Sequence, residues 1–293
     1  MPTALPFLAL LCNAFIWGTI WWPFKILQSH GVHPVLGTTL MYALLFGCLA
    51  LLKPGAIAIA RRHPMLLVLA TLSGVTNILF NWAVTSGEVV RVVLLFYLMP
   101  AWSVLLAWYF LGEKPTRYSL LRLVLAFAGV ALVMLPPGTT WQSLTAHLAL
   151  PDLLAIAGGF TFACTNVVLR SQHRVASEAR MLSMFFGGLV AGSLMSWLGT
   201  STGLLPGLPA LAWAWPALIA VIAVLLMLSN WSLQYGASRL AATTAAVVML
   251  SEVVFASTSS VLIEGTVLSS RLLLGGALVL SASLLAALEK KLA

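Results

Sequence analysis

In this chain of 293 residues, 61% are hydrophobic and 8% charged, with a mean hydropathy of +1.04, whereas a soluble domain carries roughly 25% charged residues. Seven acids and fifteen Lys or Arg cannot clothe a soluble body of this length, so hydrocarbon rather than water covers most of the surface. The formal charge of +8 does not point to nucleic acid, because the basic residues stand singly between apolar runs instead of gathering on one solvated face beside stacking aromatics.

A bilayer core about 30 Å thick demands roughly 20 apolar residues per helix. In chain order, runs of that kind fall at Leu5 to Leu27, Val35 to Leu52, Pro64 to Ala83, Val89 to Leu111, Tyr118 to Leu135, Leu153 to Leu169, Met181 to Leu198, Ala210 to Ser232, Leu240 to Ile263 and Leu272 to Leu288. They predict an all-α membrane protein with ten transmembrane helices. The first run has no basic segment before it and no clear small-residue cleavage site after it, so it is read as a span rather than a signal peptide. The connections are short and punctuated by Lys53-Pro54-Gly55, Pro136-Pro137-Gly138 and Leu205-Pro206-Gly207, which leaves no room for a soluble domain. Cys12, Cys48 and Cys164 all lie inside apolar runs and are read as small packing residues.

Short cytoplasmic loops are enriched in Lys and Arg. With the N-terminus inside, the cytoplasmic segments hold Lys53, Arg61, Arg62, Lys114, Arg117, Arg122, Arg170, Arg174, Arg180, Arg239, Lys290 and Lys291, against Lys25, Arg91 and Arg271 on the other side. The asymmetry predicts both termini in the cytoplasm and therefore an even number of spans.

The chain repeats itself weakly. Asn81-Trp82 and Gly87 recur as Asn230-Trp231 and Gly236, 149 residues on; Trp17-Gly18 with Lys25 recurs as Phe162-Ala163 with Arg170, 145 on; Glu113 recurs as Glu264, 151 on. Five helices per copy is odd, so the second copy enters the membrane inverted. The expected units are residues 1–137 and 150–290, two inverted five-helix repeats.

Trp17-Gly18 in the first run and Leu111-Gly112-Glu113 closing the fourth resemble the drug/metabolite transporter superfamily, EamA type. The second half departs from that pattern with Phe162-Ala163, Leu262-Ile263-Glu264, and Val253 where many members carry proline after the acid. Within the superfamily the chain is most similar to bacterial exporters of aromatic amino acids. The resemblance implies a ten-helix basket around a central cavity lined by the first, third, fourth, sixth, eighth and ninth helices. It further implies alternating-access export of small amphipathic metabolites, aromatic and other neutral amino acids foremost, across a bacterial inner membrane.

Three groups of residues are candidates for the substrate site. Glu252 lies near the middle of the ninth run, where a carboxylate costs at least about 2.5 kcal/mol unless solvated, paired or protonated. Two roles are open to it: a hydrogen bond between helices, or substrate-amine binding and proton coupling. Asn13, Asn77, Asn81, Asn166 and Asn230 place amides inside the runs, as walls of a polar cavity or as interhelical bonds worth about 0.6 kcal/mol each. Trp17, Trp21, Tyr97, Trp102, Phe162 and Trp231 lie deeper than the headgroup belt and offer ring faces to aromatic solutes and ammonium groups, or simply pack. Asn13, Trp17 and Trp21 share one helix face, as do Asn77 and Asn81.

Small residues repeat every four positions at Ala155, Gly159 and Ala163 and at Gly188 and Gly192, faces that let helices approach closely. Pro100, in the middle of the fourth run, is a candidate hinge or a static kink. No Gly-rich phosphate loop precedes any lysine, and the five histidines fall between the runs with no zinc-binding pattern. The expectations are therefore no ATP hydrolysis, no cofactor, no metal and no catalysis, in a monomer whose partners are a small-molecule substrate and membrane lipid. A lipid-linked metabolite flippase of the same fold, and from another class a membrane-embedded transferase or hydrolase, are the alternatives.

Overall fold

The computed structural model describes residues 4–99, 102, 105–106, 109, 117–134, 149–172, 174–210, 213–237, 239, 248–249, 251–265 and 267–289. Every regular element among them is an α-helix, as expected where lipid offers the backbone no hydrogen bonds. In order they are α1 (Ala4–Thr19), α2 (Trp21–Ser29), α3 (Pro34–Leu52), α4 (Gly55–Arg62), α5 (Met65–Ser86), α6 (Val89–Phe96), α7 (Arg117–Met134), α8 (Leu150–Ser171), α9 (Ser177–Ser201), α10 (Ala214–Ala237), α11 (Ser251–Glu264) and α12 (Ser270–Glu289).

Among the described residues six segments are long and apolar enough to cross a bilayer: Leu5–Ser29, Pro34–Leu52, Met65–Ser86, Leu150–Leu169, Ser177–Ser201 and Ala214–Leu233. The protein is a multi-pass membrane protein. The first of these spans joins α1 to α2 through a turn at Ile20, where Pro23 has no N–H to offer the Thr19 carbonyl. Thr19 instead sends its hydroxyl back to the Phe15 carbonyl at 2.7 Å. The loop expected after Lys53 is a short helix, α4, which packs on α9 through buried Ala56 and ends in Arg61 and Arg62, cations suited to a helix C-terminus.

α3 starts on a histidine cap. The His33 ring accepts the Val35 N–H at Nδ1 (3.3 Å) and meets Trp82 edge to face with centroids 5.2 Å apart. Burial holds its imidazole below the ordinary 6.5, so the folded protein binds fewer protons there than the unfolded chain. The stability this gives is complete above 6.5 and drains as pH falls through the lowered folded value. The melting temperature of the wild-type protein is expected to fall more steeply between pH 7 and 5 than that of His33→Asn, which caps without titrating. Parallel slopes in differential scanning fluorimetry would refute the role.

Helices that are distant in sequence interlock. α1 lies on α10 and α11, α8 on α5 and α6, α9 on α3 and α5, and α12 on α7. Glycines set the closest of these approaches. A Cβ on Gly187 of α9 would overlap the Ala70 carbonyl of α5, and one on Gly74 of α5 would overlap the Gly187 carbonyl, so the two backbones touch directly. Around this seam lies one core with Phe24, Met41, Tyr42 and Phe185. A second core, with Trp21, Phe80, Phe96, Tyr97 and Val253, gathers α2, α5, α6 and α11 and holds the candidate site.

Candidate functional site

The site begins at a glycine. A Cβ on Gly18 would fall 2.7 Å from the Glu252 carbonyl and 2.7 Å from Phe255 Cβ, so α1 and α11 meet backbone to backbone at this level. Trp21, one turn on and wholly buried, donates its Nε1 proton to Ser259 Oγ at 3.0 Å, and Phe15 meets Phe255 edge to face at 5.3 Å. These contacts fix α11 against the first span and present Glu252 to the interior, where it is only 8% exposed.

From the other side comes α6. Its last carbonyl, Phe96, would be bonded in a continuing helix by the N–H of residue 100, but that residue is a proline. Gly159 of α8 lies against this carbonyl instead, at 2.5 Å from where its Cβ would stand. The chain turns at Tyr97 and Leu98, and the Tyr97 hydroxyl donates to Glu252 Oε2 at 2.9 Å and lies 3.3 Å from the Met249 carbonyl. A hydrogen bond to a carboxylate is shorter and stronger than a neutral one, and this one joins α6 to α11.

A run of aromatic rings continues from Tyr97. Centroids are 6.0 Å apart for Trp17 and Phe80, 4.8 Å for Phe80 and Phe96, 5.4 Å for Phe96 and Phe162, and 6.5 Å for Phe96 and Tyr97. α1, α5, α6 and α8 each contribute.

Of the residues singled out from sequence, Trp17, Tyr97, Phe162 and Glu252 thus come together, with Trp21 beside them. The amides are used otherwise. Asn13 Nδ2 bonds the Ser229 carbonyl (3.0 Å) and hydroxyl (2.7 Å), tying α1 to α10; Asn81 Nδ2 bonds Thr38 Oγ1 (3.0 Å), tying α5 to α3. Asn77 and Asn230 turn back to carbonyls of their own helices, Ser73 at 2.8 Å and Leu226 at 3.0 Å. Asn166 is exposed on α8 and Trp231 on α10, and Trp102 packs on Phe160 at 5.5 Å in a separate small cluster with Leu98 and Ala126. Pro100 lies outside the described residues. Sequence reasoning missed Phe80, Phe96 and Ser259. Only Phe96 carried a usable signal, its position four residues before a proline.

Among the described residues, two ion pairs tie helix ends. Arg91, near the start of α6, grips Asp152 in the first turn of α8 through Nε to Oδ1 (2.8 Å) and Nη2 to Oδ2 (2.9 Å), while Asp152 Oδ2 also accepts the Ala149 N–H at 3.0 Å. Lys25 of α2 pairs with Glu264 at the end of α11 and lies over the Trp21 ring.

Comparison with known proteins adds a family to this geometry. Residues 4–135 match the model of the EamA-like transporter family. The matched segment contains α1 to α7, and with it Trp17, Phe80, Phe96 and Tyr97 of the site. A solved crystal structure of another protein aligns over 99% of this chain and 98% of its own, with a TM-score of 0.61 at 18% identity, which shows a shared fold. No curated protein matches the chain.

Proposed function

We propose that the protein is a secondary transporter that exports small amphipathic metabolites, aromatic and other neutral amino acids foremost, from the cytoplasm by alternating access. The observation that carries this is the Tyr97–Glu252 hydrogen bond inside a cluster of rings drawn from α1, α5, α6 and α8. A carboxylate at mid-membrane is retained where it serves a solute or ion path, and the rings around it suit an aromatic side chain.

The architecture in this reading is ten helices in two inverted repeats, residues 1–137 and 150–290, with both ends in the cytoplasm of a bacterium. The packing supports it. Exchanging each helix for its counterpart turns the α1 contacts with α10 and α11 into the α8 contacts with α5 and α6, and the α5–α9 contact into α10–α3. The pairs α3–α9, α6–α11 and α7–α12 map onto themselves. A twofold axis in the membrane plane produces this pattern.

Efflux of labelled phenylalanine, tryptophan and threonine from liposomes containing the purified protein tests the function. Tyr97→Phe should slow efflux about tenfold, the factor set by about 1.4 kcal/mol and the least expected when a carboxylate loses its donor, while leaving the amount of folded protein unchanged. Movement of lipid-linked sugars alone would overturn the reading, and reporters placing the two termini on opposite faces would overturn the architecture.

A further inference from the structure

Two acids are buried among the described residues, Asp152 and Glu252. Asp152 has its countercharge on the chain, the Arg91 guanidinium. Among the described residues Glu252 has only a phenol, which hydrogen-bonds Oε2 and carries no countercharge. Oε1 accepts no hydrogen bond from any described residue. The nearest cation on the first span, Lys25, is taken by Glu264 and the Trp21 ring. What the described interior presents is therefore a carboxyl group without a countercharge, joined through Tyr97 to the packed rings of Phe96, Phe80, Phe162 and Trp17. Both features attract cations, the ring through its quadrupole and the carboxylate through its charge.

An anionic group finds the reverse. No described Lys or Arg pairs with Glu252 or stacks on these rings, and a solute carboxylate beside Glu252 would be repelled. Of the buried donors left without a partner, Trp102 Nε1 lies in the separate cluster with Phe160 and Arg271 Nη1 at the start of α12.

We infer that Glu252 with its ring cluster is an ammonium subsite, and that the substrate class is the aromatic amine: a monocation carrying a ring, for which the carboxylate of an amino acid is dispensable. The inference rests on the transport reading above for translocation, but binding stands on the site alone. Amino acids enter through their ammonium end. Their neutral esters and decarboxylated analogues, which keep the ammonium and shed the anion, bind better.

The test is binding of phenethylamine, phenylalanine methyl ester, phenylalanine and 3-phenylpropionate to the detergent-purified protein, followed by tryptophan fluorescence and thermal shift. Phenethylamine and the ester should bind at least about tenfold more tightly than phenylalanine, and 3-phenylpropionate should show no binding at the same concentrations. Glu252→Gln should weaken phenethylamine at least about thirtyfold, as when one partner of a buried charge pair is truncated, and Glu252→Asp should recover part of the loss. Phenylalanine binding more tightly than its ester, or amine binding unchanged in a folded Glu252→Gln protein, overturns the subsite. The ligand series in the wild-type protein decides even if that variant does not fold. Liposome flux separates the two ideas: amino-acid efflux with no amine binding sinks the subsite and leaves transport, whereas amine binding with no flux of any solute sinks transport and leaves the subsite.

Discussion

Gly187→Val is expected to abolish the folded protein. The added carbons would have to occupy the Ala70 carbonyl group of α5, and the reciprocal contact, Gly74 against the Gly187 backbone, closes off a shift along the seam. Overpacking a core typically costs 1–3 kcal/mol, about 3 or more where backbone rather than a flexible side chain stands in the way. Neighbouring glycines tighten the constraint: Gly188 lies against the Tyr42 ring at 2.5 Å from where its Cβ would be, and Gly192 against Thr39, so α9 is held by α5 and α3 together. The measurement is the yield of monodisperse protein on size exclusion after solubilisation. Gly47→Ala, at a position with nothing within 4 Å, is the control and should behave as wild type. Equal yields from the two variants would mean that the seam is loose and that backbone contact does not hold α9.

Asp152→Leu is expected to cost about 3 kcal/mol, the lower end of the range for breaking a buried ion pair. It removes the carboxylate that two guanidinium nitrogens bond, together with the acceptor for the Ala149 N–H at the start of α8. The lower end applies because the Arg91 side chain is 25% exposed while Asp152 is 4% exposed, so water recovers part of the loss on one side only. Lys25→Gln is the informative comparison. Its pair with Glu264 is 29% and 31% exposed, and such pairs contribute about 0–1 kcal/mol. Thermal unfolding in one detergent should therefore place Asp152→Leu well below wild type and Lys25→Gln close to it. The opposite order would show that the helix-end pairs are ranked by something other than burial.

Six of the ten apolar runs read by hydropathy are helices long enough to cross a bilayer among the described residues, because a lipid-covered helix must be apolar over its whole length, and that constraint is local. The same locality hid the turn at Ile20 and the short helix α4, which depend on one proline and on packing against α9. Glu252 was legible because a carboxylate in an apolar run has few explanations. The asparagines were legible as polar points but not as roles: whether Asn13 bonds a solute or Ser229, 216 residues away, depends on which helices are neighbours. Phe80 and Phe96 were invisible for a related reason. Aromatics are ordinary in such runs, and only the facing of α5 and α6 separates a ring beside Glu252 from a ring in lipid. The glycine stripe was read at Gly188 and Gly192, whereas the tightest contact belongs to Gly187, next to the stripe, because α9 meets two helices rather than one.

The interlocking of distant helices bears on how the chain is made. α1 reaches the membrane early, yet the helices it packs on, α10 and α11, begin at Ala214 and Ser251. Until they emerge from the ribosome, Asn13 and Trp21 wait in the bilayer without Ser229 and Ser259. Docking of the first span is thus postponed until α10 and α11 have been made, and a product truncated after α7 would leave Asn13 and Trp21 without those partners.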